Sequence, residues 1–333
     1  AKVTYQTFFG RYRKLSGMTG TAWPEREELR QTYGLDVLRV PTNRPLIREE
    51  YADLVYDTLA DKHEAIVAEI DELRQEGRPV LVGTTSVRES EQIAGRLKAA
   101  GVPHEVLNAK NHRLEAAVIA QAGRQGAVTI STNMAGRGTD IVLGGKPEGG
   151  GAPRRPPDEQ AAVVAAGGLH VIGTAHHEAV RIDDQLRGRA GRQGDPGSSQ
   201  FIVCLDDEVF CKFGGADIGE LRDALARRGH ARGEPIPARA CAGLLAELQR
   251  KVDEENRGVR REVLRYDMVL HQQREALYAW RAELLDEDQV DPALQVEELV
   301  DVLAEGQEDG EALRATLSAC FVAEFERPAG ELD

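Results

Sequence analysis

Between residues 61 and 205 two hydrophobic rhythms take turns. Behind the D-K-H-E run at Asp61–Glu64, which reads as an Asp cap with a Glu three positions on, Ile66, Val67, Ile70 and Leu73 share one helical face, and Gly77 ends the repeat. P-V-L-V-G-T (79–84) is a short continuous apolar run, as expected of a parallel strand buried on both faces. Ser86 and Glu89 then form a capping box, Ile93 and Leu97 keep helical spacing, and Gly101 closes that helix. The alternation continues through a strand at H-E-V-L-N-A (104–109) and a helix at L-E-A-A-V-I-A-Q-A-G (114–123). Three more strands follow at A-V-T-I-S-T (127–132), G-L-H-V-I-G-T (168–174) and S-S-Q-F-I-V-C-L (198–205). Strands alternating with helices predict an α/β fold with a doubly wound parallel sheet.

The flanks differ. G-M-T-G-T-A (17–22) follows a helical stretch and reads as a strand ending in a small-residue loop. Y-G-L-D-V-L-R-V (33–40) reads as another short strand, and P-T-N-R-P (41–45) as a stiff extended connector. Gly144–Pro157 is too rich in Gly and Pro to pack and reads as a loop or insertion. Arg228–Pro237 is a second breaker and a candidate domain boundary. Beyond it Leu245, Leu248, Val252, Val259, Val263, Tyr266, Leu270, Leu277, Trp280 and Leu284 follow three- and four-residue steps, with Asn256 and Gln273 at the remaining positions. That seam predicts one helix of roughly 40 residues, about 60 Å long. It suits a two-stranded coiled-coil homodimer and a scaffold helix packed on its own neighbours equally well. Residues 286–333 are acidic and weakly periodic, as in short helices of an incomplete module.

Composition narrows the function classes. The 333 residues carry a net charge of −14, so the chain does not attract polyphosphate in bulk; a nucleic-acid partner would need a local basic patch. No apolar run approaches the length of a membrane span. Cys204, Cys211, Cys241 and Cys320 show no C-x-x-C spacing, which points to reduced cytosolic thiols rather than a zinc site. The chain opens on Ala1, which suits a piece of a longer protein.

Two constellations carry candidate chemistry. T-N-M-A-G-R-G-T-D-I (132–141) follows a strand, and ligands of open parallel sheets bind at that edge. Ala135, Gly136, Gly138 and Thr139 are small enough for close backbone approach. Arg137 supplies a planar charge suited to phosphate, and Asp140 can accept from ribose hydroxyls or orient a water. A plain tight turn accounts for the string equally well. In R-I-D-D-Q-L-R-G-R-A-G-R-Q-G-D (181–195), Arg181, Gln185, Arg189 and Arg192 are spaced four, four and three apart. On a helix they would share one face, with Ile182 and Leu186 toward the core. Such a row is either a solvated basic face or a phosphate contact across a cleft, as an arginine finger makes. The chain has no G-x-x-x-x-G-K-[ST] and no D-E-x-D. The phosphate-loop Lys, the Mg²⁺-binding hydroxyl and the catalytic carboxylate are therefore not in it. His176 and His177 have no acid–base partner by spacing and read as surface or capping residues.

The blocks at 17–22, 40–45, 79–84, 106–110, 132–145, 167–174 and 182–199, followed by Q-R-K-V-D (249–253), L-R-Y-D (264–267) and Q-R-E-A-L-Y (273–278), together resemble the SecA family of preprotein translocase ATPases. Superfamily 2 helicases share the layout but not these full strings. The resemblance implies a RecA-like parallel sheet flanked by helices, then an all-α scaffold with one long helix. It assigns residues 1–44 to the end of a first nucleotide-binding domain and hinge, 45–235 to a second nucleotide-binding domain, 236–285 to the helical scaffold, and 286–333 to the start of a helical wing. It implies that Gly136, Arg137, Gly138, Thr139 and Asp140 meet ATP, that Arg189 and Arg192 reach its phosphates, and that Arg181 and Gln185 belong to the same site, with Mg²⁺ held mainly by the first lobe. The implied partners are the SecYEG channel, preproteins and the anionic inner-membrane surface, with no nucleic acid. The implied location is the cytoplasm, at the cytoplasmic face of that membrane. ATP hydrolysis by the isolated chain is not expected. A helicase C-terminal lobe and a non-catalytic docking module are the alternatives. The chain departs from the family at Ala175-His176, where Glu-Arg is more usual, at Val180, where Arg is frequent, and in the short loop at 144–157.

Overall fold

The computed structural model describes residues 3–107, 112–132, 138–145 and 157–284. The described residues fall into two compact units, one within residues 9–261 and the other made of residues 3–8 and 262–284. In chain order the elements are α1 (Tyr5–Gly10), α2 (Arg26–Tyr33), β1 (Glu49–Glu50), β2 (Leu54–Tyr56), α3 (Leu59–Gln75), β3 (Val80–Thr84), α4 (Val87–Ala99), β4 (Glu105–Leu107), α5 (His112–Gln121), β5 (Val128–Thr132), α6 (Pro157–Ala165), β6 (Leu169–Gly173), α7 (Val180–Arg187), β7 (Gly197–Cys204), α8 (Glu208–Phe213), α9 (Gly215–Arg227) and α10 (Ala238–Leu284).

In the larger unit the strands pair in parallel in the order β1-β7-β6-β3-β5-β4, and β2 also joins β7. The edge is therefore split. Glu49 and Glu50 lie opposite Ser198 and Ser199, while Leu54–Tyr56 lie opposite Ile202–Cys204. Alternate residues of each strand feed two cores. Val80, Val82, Ile130, Ile172 and Ile202 pack with Ile66 and Ile70 of α3 and Ile93 and Leu97 of α4. Leu81, Val171, Phe201 and Val203 face the other way, with Ile119 of α5, Val163 of α6, Leu186 of α7 and Phe210 of α8. Both faces are covered, which is why β3 reads as a continuous apolar run and why its neighbours carry few charged residues. This is the RecA-like α/β architecture the sequence implied, with one long helix after it. The first turns of α10 belong to the second core through Cys241, Leu245 and Leu248.

The seam on α10 does not behave as one stripe. In the larger unit it is buried through Val252 and exposed at Val259. In the smaller unit Val263, Tyr266, Leu270 and Leu277 are exposed. There the hydroxyls of Thr4 and Thr7 both donate to Asp267, the first at 2.6 Å. The helix runs for 47 residues, longer than the seam alone implied.

Some local expectations give way. Residues 17–22 and 33–40 form no strand; Leu38 and Val40 are exposed, and no described strand lies beside them to complete a ladder. Arg26–Tyr33 is a helix instead, closed by Gly34 at φ 67°. The first turn of α3 is capped one turn earlier than Asp61. The Thr58 hydroxyl accepts from the Asp61 amide at 3.2 Å and donates to its carboxylate at 2.7 Å. At α4 the expected cap is present, with Ser86 Oγ accepting from the Glu89 amide at 3.1 Å. Most of the Gly144–Pro157 loop, and all of 286–333, lie outside the described residues.

Candidate functional site

The carboxyl ends of β3 and β5 open into a cavity of about 520 Å³. Gly83, Thr132 and Gly138 line one side, and Gln185, Arg189 and Arg192 another. Helix α7 is seated there by a small-residue contact. A Cβ on Gly83 would stand 2.5 Å from both methyl carbons of Leu186, so it is glycine that lets the Leu186 side chain of α7 seat this closely on the sheet edge. The arginine row does not share one helical face. α7 ends at Arg187 with Gly188 as its cap, and Gly191 turns the chain at φ 70°. A Cβ at Gly191 would sit 2.6 Å from that of Arg48, so this turn too requires glycine. The two glycines break the helix where spacing alone suggested continuity.

The broken helix separates the predicted residues into two settings. Arg189 Nη1 donates to the Thr139 carbonyl at 3.5 Å. Arg192 Nε donates to the Gly188 carbonyl at 2.9 Å, and its Nη1 pairs with the Asp140 carboxylate. Partial burial pulls the Arg192 pKa down, as expected of a cation short of solvent. Gln185 Nε2 donates to Thr21 Oγ1 at 3.2 Å. Gly138, Gln185, Arg189 and Arg192 thus meet at the cavity, with Thr139 and Asp140 tied to it through the arginines. Arg181 does otherwise. It lies 3.5 Å from Glu25, which Arg257 and Arg260 of α10 also approach at 4.0 and 3.9 Å. Gly136 and Arg137 lie outside the described residues.

Spacing missed two buried charged clusters nearby. His176 is not a surface residue; it is 5% exposed. Its Nδ1 lies 2.7 Å from Asp183 Oδ2 and its Nε2 3.2 Å from Asp53 Oδ2. Burial works against the charged imidazole, but these two carboxylates outweigh it and hold the pKa up at about 9. His177 donates its amide to the other Asp183 oxygen at 3.0 Å. Asp183 is buried too, yet the two histidines keep it below the usual carboxylate range. The second cluster centres on Lys62, which is wholly buried. Its ammonium donates to Asp207 at 2.5 Å, Glu89 at 3.1 Å and the Thr174 carbonyl at 2.9 Å. Burial opposes its charge, but Asp207 and Glu89 prevail and raise the pKa. At the opposite end of the strands His170 bridges Ser198 at 2.6 Å and Glu69 at 3.1 Å. Ser198 and His170 are each 1% exposed, so this Ser–His–Glu set meets no substrate and is structural. Cys204 and Cys241 are buried free thiols and Cys211 an exposed one. Among the described residues no helix is long and apolar enough to cross a membrane.

Comparison with known proteins agrees with the strings that first suggested a family. The SecA P-loop domain family matches residues 45–154 and 151–228. The SecA Wing and Scaffold domain family matches 235–317, and the SecA DEAD-like domain family matches 1–30. The chain is similar to Protein translocase subunit SecA of Solidesulfovibrio magneticus, with 48% identity over 303 residues, covering 90% of this chain and 34% of that protein. It is similar to the same subunit of Thermodesulfovibrio yellowstonii, with 45% identity over 353 residues, covering 98% and 40%. The chain therefore spans between 34% and 40% of the length of these relatives. Among solved structures, the E. coli DEAD-box protein SrmB, bound to regulator of ribonuclease activity A, aligns with a TM-score of 0.35 at 20% identity, over 51% of this chain and 84% of SrmB. S. cerevisiae Dbp5 bound to RNA and ADP BeF3 aligns with a TM-score of 0.37 at 14% identity, over 68% and 52%. Strings, domain matches and curated relatives agree along nearly the whole sequence: the chain belongs to the SecA family of protein translocase subunits.

Proposed function

We propose that this chain supplies the arginine-bearing lobe of an ATP-driven protein-export motor. The observation that carries the reading is the convergence of Arg189 and Arg192 with Gln185 and Gly138 on one cavity at the carboxyl edge of the sheet. Its volume is of the size that holds a small-molecule ligand. Two guanidinium groups there suit the β- and γ-phosphates of ATP, where they would offset charge as it builds on the transferred group. The Arg192–Asp140 pair is 40% and 69% exposed, so it is worth at most about 1 kcal/mol and phosphate can displace it. The cavity has guanidinium, amide and hydroxyl groups to offer. Its lining carboxylate, Asp184, is paired with Arg187 at 3.0 Å, and Asp140 beside it is engaged by Arg192, so in this reading Mg²⁺ belongs mainly to a phosphate-loop lobe that this sequence does not contain.

In this reading residues 1–44 end a first nucleotide-binding domain, 45–235 form the second, 236–285 form the scaffold and 286–333 begin a wing. Opening and closing of the nucleotide cleft would drive the scaffold and move preprotein through the SecYEG channel, with the protein peripheral on the cytoplasmic face of the inner membrane. The apolar seam of α10 is compatible with a homodimer as well. The acidic balance of −14 and the scarcity of aromatic residues speak against nucleic acid as the transported polymer.

The test is a chimera in which this chain replaces the matching segment of the S. magneticus relative. Its ATP turnover is expected to rise with vesicles carrying SecYEG plus a preprotein. Stimulation by single-stranded RNA and not by preprotein would overturn the reading in favour of a helicase.

A further inference from the structure

Asp183 is 0% exposed and sits in the first turn of α7, two residues before Gln185 and three before Leu186. A carboxylate so placed is tolerable only with a cation and full hydrogen bonding. His176 supplies the cation. Its ring lies flat on Phe201 of β7, with centroids 4.5 Å apart and planes 10° apart, so its two nitrogens have fixed directions. One faces Asp183 on α7, and the other faces Asp53 between β1 and β2. Gln249 of α10 comes to the same point, its amide nitrogen 2.9 Å from His176 Nδ1 and 3.4 Å from Asp183 Oδ2. A charged imidazole has no lone pair on Nδ1, so the Gln249 amide must give its proton to Asp183. Imidazolium and scaffold amide therefore hold one carboxylate oxygen between them. A second tie lies one stretch further along α10, where Asn256 Nδ2 donates to the Glu178 carbonyl at 3.2 Å, just ahead of α7.

We infer that His176 is a positioning residue that fastens the cavity helix α7 to the long helix α10 through Asp183 and Gln249, so that filling the arginine side of the cavity is felt along α10. The inference rests on the nucleotide reading of that cavity. α7 is short and seated on Gly83 at Leu186, so a shift of Asp183 carries Gln185 and the turn bearing Arg189 with it. His176 touches no nucleotide in this arrangement; it acts through Asp183.

The same chimera tests it, with two readouts: kcat and KM for ATP, and amide hydrogen exchange of residues 245–256 with and without a non-hydrolysable ATP analogue. In the unaltered chimera the analogue should slow exchange in that stretch. His176→Gln should abolish this response and lower kcat roughly ten- to a hundredfold, with KM within about twofold, as when catalytic groups are bound but misplaced. His176→Arg keeps a permanent cation that can donate to both carboxylates, and should restore both readouts. Gln249→Ala leaves the His176–Asp183 pair intact and should still lose the α10 response, which covers the case of a His176→Gln protein that fails to fold. A normal α10 response in His176→Gln or in Gln249→Ala overturns the inference, and so does failure of His176→Arg to restore it. An unaltered chimera that turns over ATP with no change along α10 overturns it alone. One that neither binds nor hydrolyses ATP overturns the functional reading and this inference with it.

Discussion

Leu186 closes over Gly83 so tightly that a β-carbon added to Gly83 would lie 2.5 Å from both of its methyl carbons. Gly83→Ala must displace the Leu186 side chain or α7 itself, at an expected cost of about 1–3 kcal/mol by urea denaturation, and should weaken nucleotide binding. Gly95, inside α4, has open space around it, so Gly95→Ala should leave binding unchanged and stabilise the fold by up to about 1 kcal/mol. Equal effects from the two substitutions would mean that α7 is not held by this contact.

Arg189 and Arg192 reach the cavity from a glycine turn, not from the rigid face of a helix. In the chimera, Arg189→Ala and Arg192→Ala should each reduce ATP turnover by roughly 10³-fold or more, with little change in thermal stability. Steady-state turnover near that of the unaltered chimera would reduce these arginines to a solvated patch.

The 333-residue chain on its own should release phosphate from ATP no faster than buffer. It has the arginine side of the site and no phosphate-loop Lys. Turnover that survives repeated purification would contradict this.

His176 gives the fold a distinctive pH dependence. Its pKa of about 9 lies above the ordinary 6.5, so its stabilisation is complete below about pH 6.5 and is lost as pH rises through 9. The full effect is of order 3 kcal/mol. Urea midpoints measured from pH 6 to 10 should fall across that window, and His176→Arg should flatten the fall. A profile identical in both proteins would show that other groups dominate.

Lys62→Met keeps the volume and removes the charge. Glu89 and Asp207 would then be buried without their cation, which typically costs about 3–5 kcal/mol. The urea midpoint at pH 7 should drop accordingly. A change below about 1 kcal/mol would mean that water already reaches the pair.

The sheet was readable because both its faces are buried: 79–84, 127–132, 168–174 and 198–205 are short, largely uncharged stretches rich in apolar and β-branched residues, and four strands lie within them or one residue from their ends. Ser86 with Glu89 was readable because a cap is local. Residues 17–40 misled, since an apolar run signals a strand only where a neighbour pairs with it. The arginine spacing misled because Gly188 and Gly191 end the helix that would have aligned the row. The charged clusters were beyond reach of spacing altogether. His176 meets Asp183 seven residues away, but Gln249 at 73 and Asp53 at 123. Lys62 finds Asp207 at a separation of 145, and in the sequence it was one more polar position in a capped helix.

The Arg192–Asp140 pair has a consequence for which anions enter. An arginine that already has a carboxylate beside it attracts a further single charge less strongly. Chloride or acetate offers it nothing that Asp140 does not already give. A chain of phosphates, with several charges and oxygens for both guanidinium groups, offers more than a single carboxylate can match. On the nucleotide reading, two side chains 52 residues apart would thus tilt this cavity away from the monovalent anions of its solvent and toward a polyphosphate.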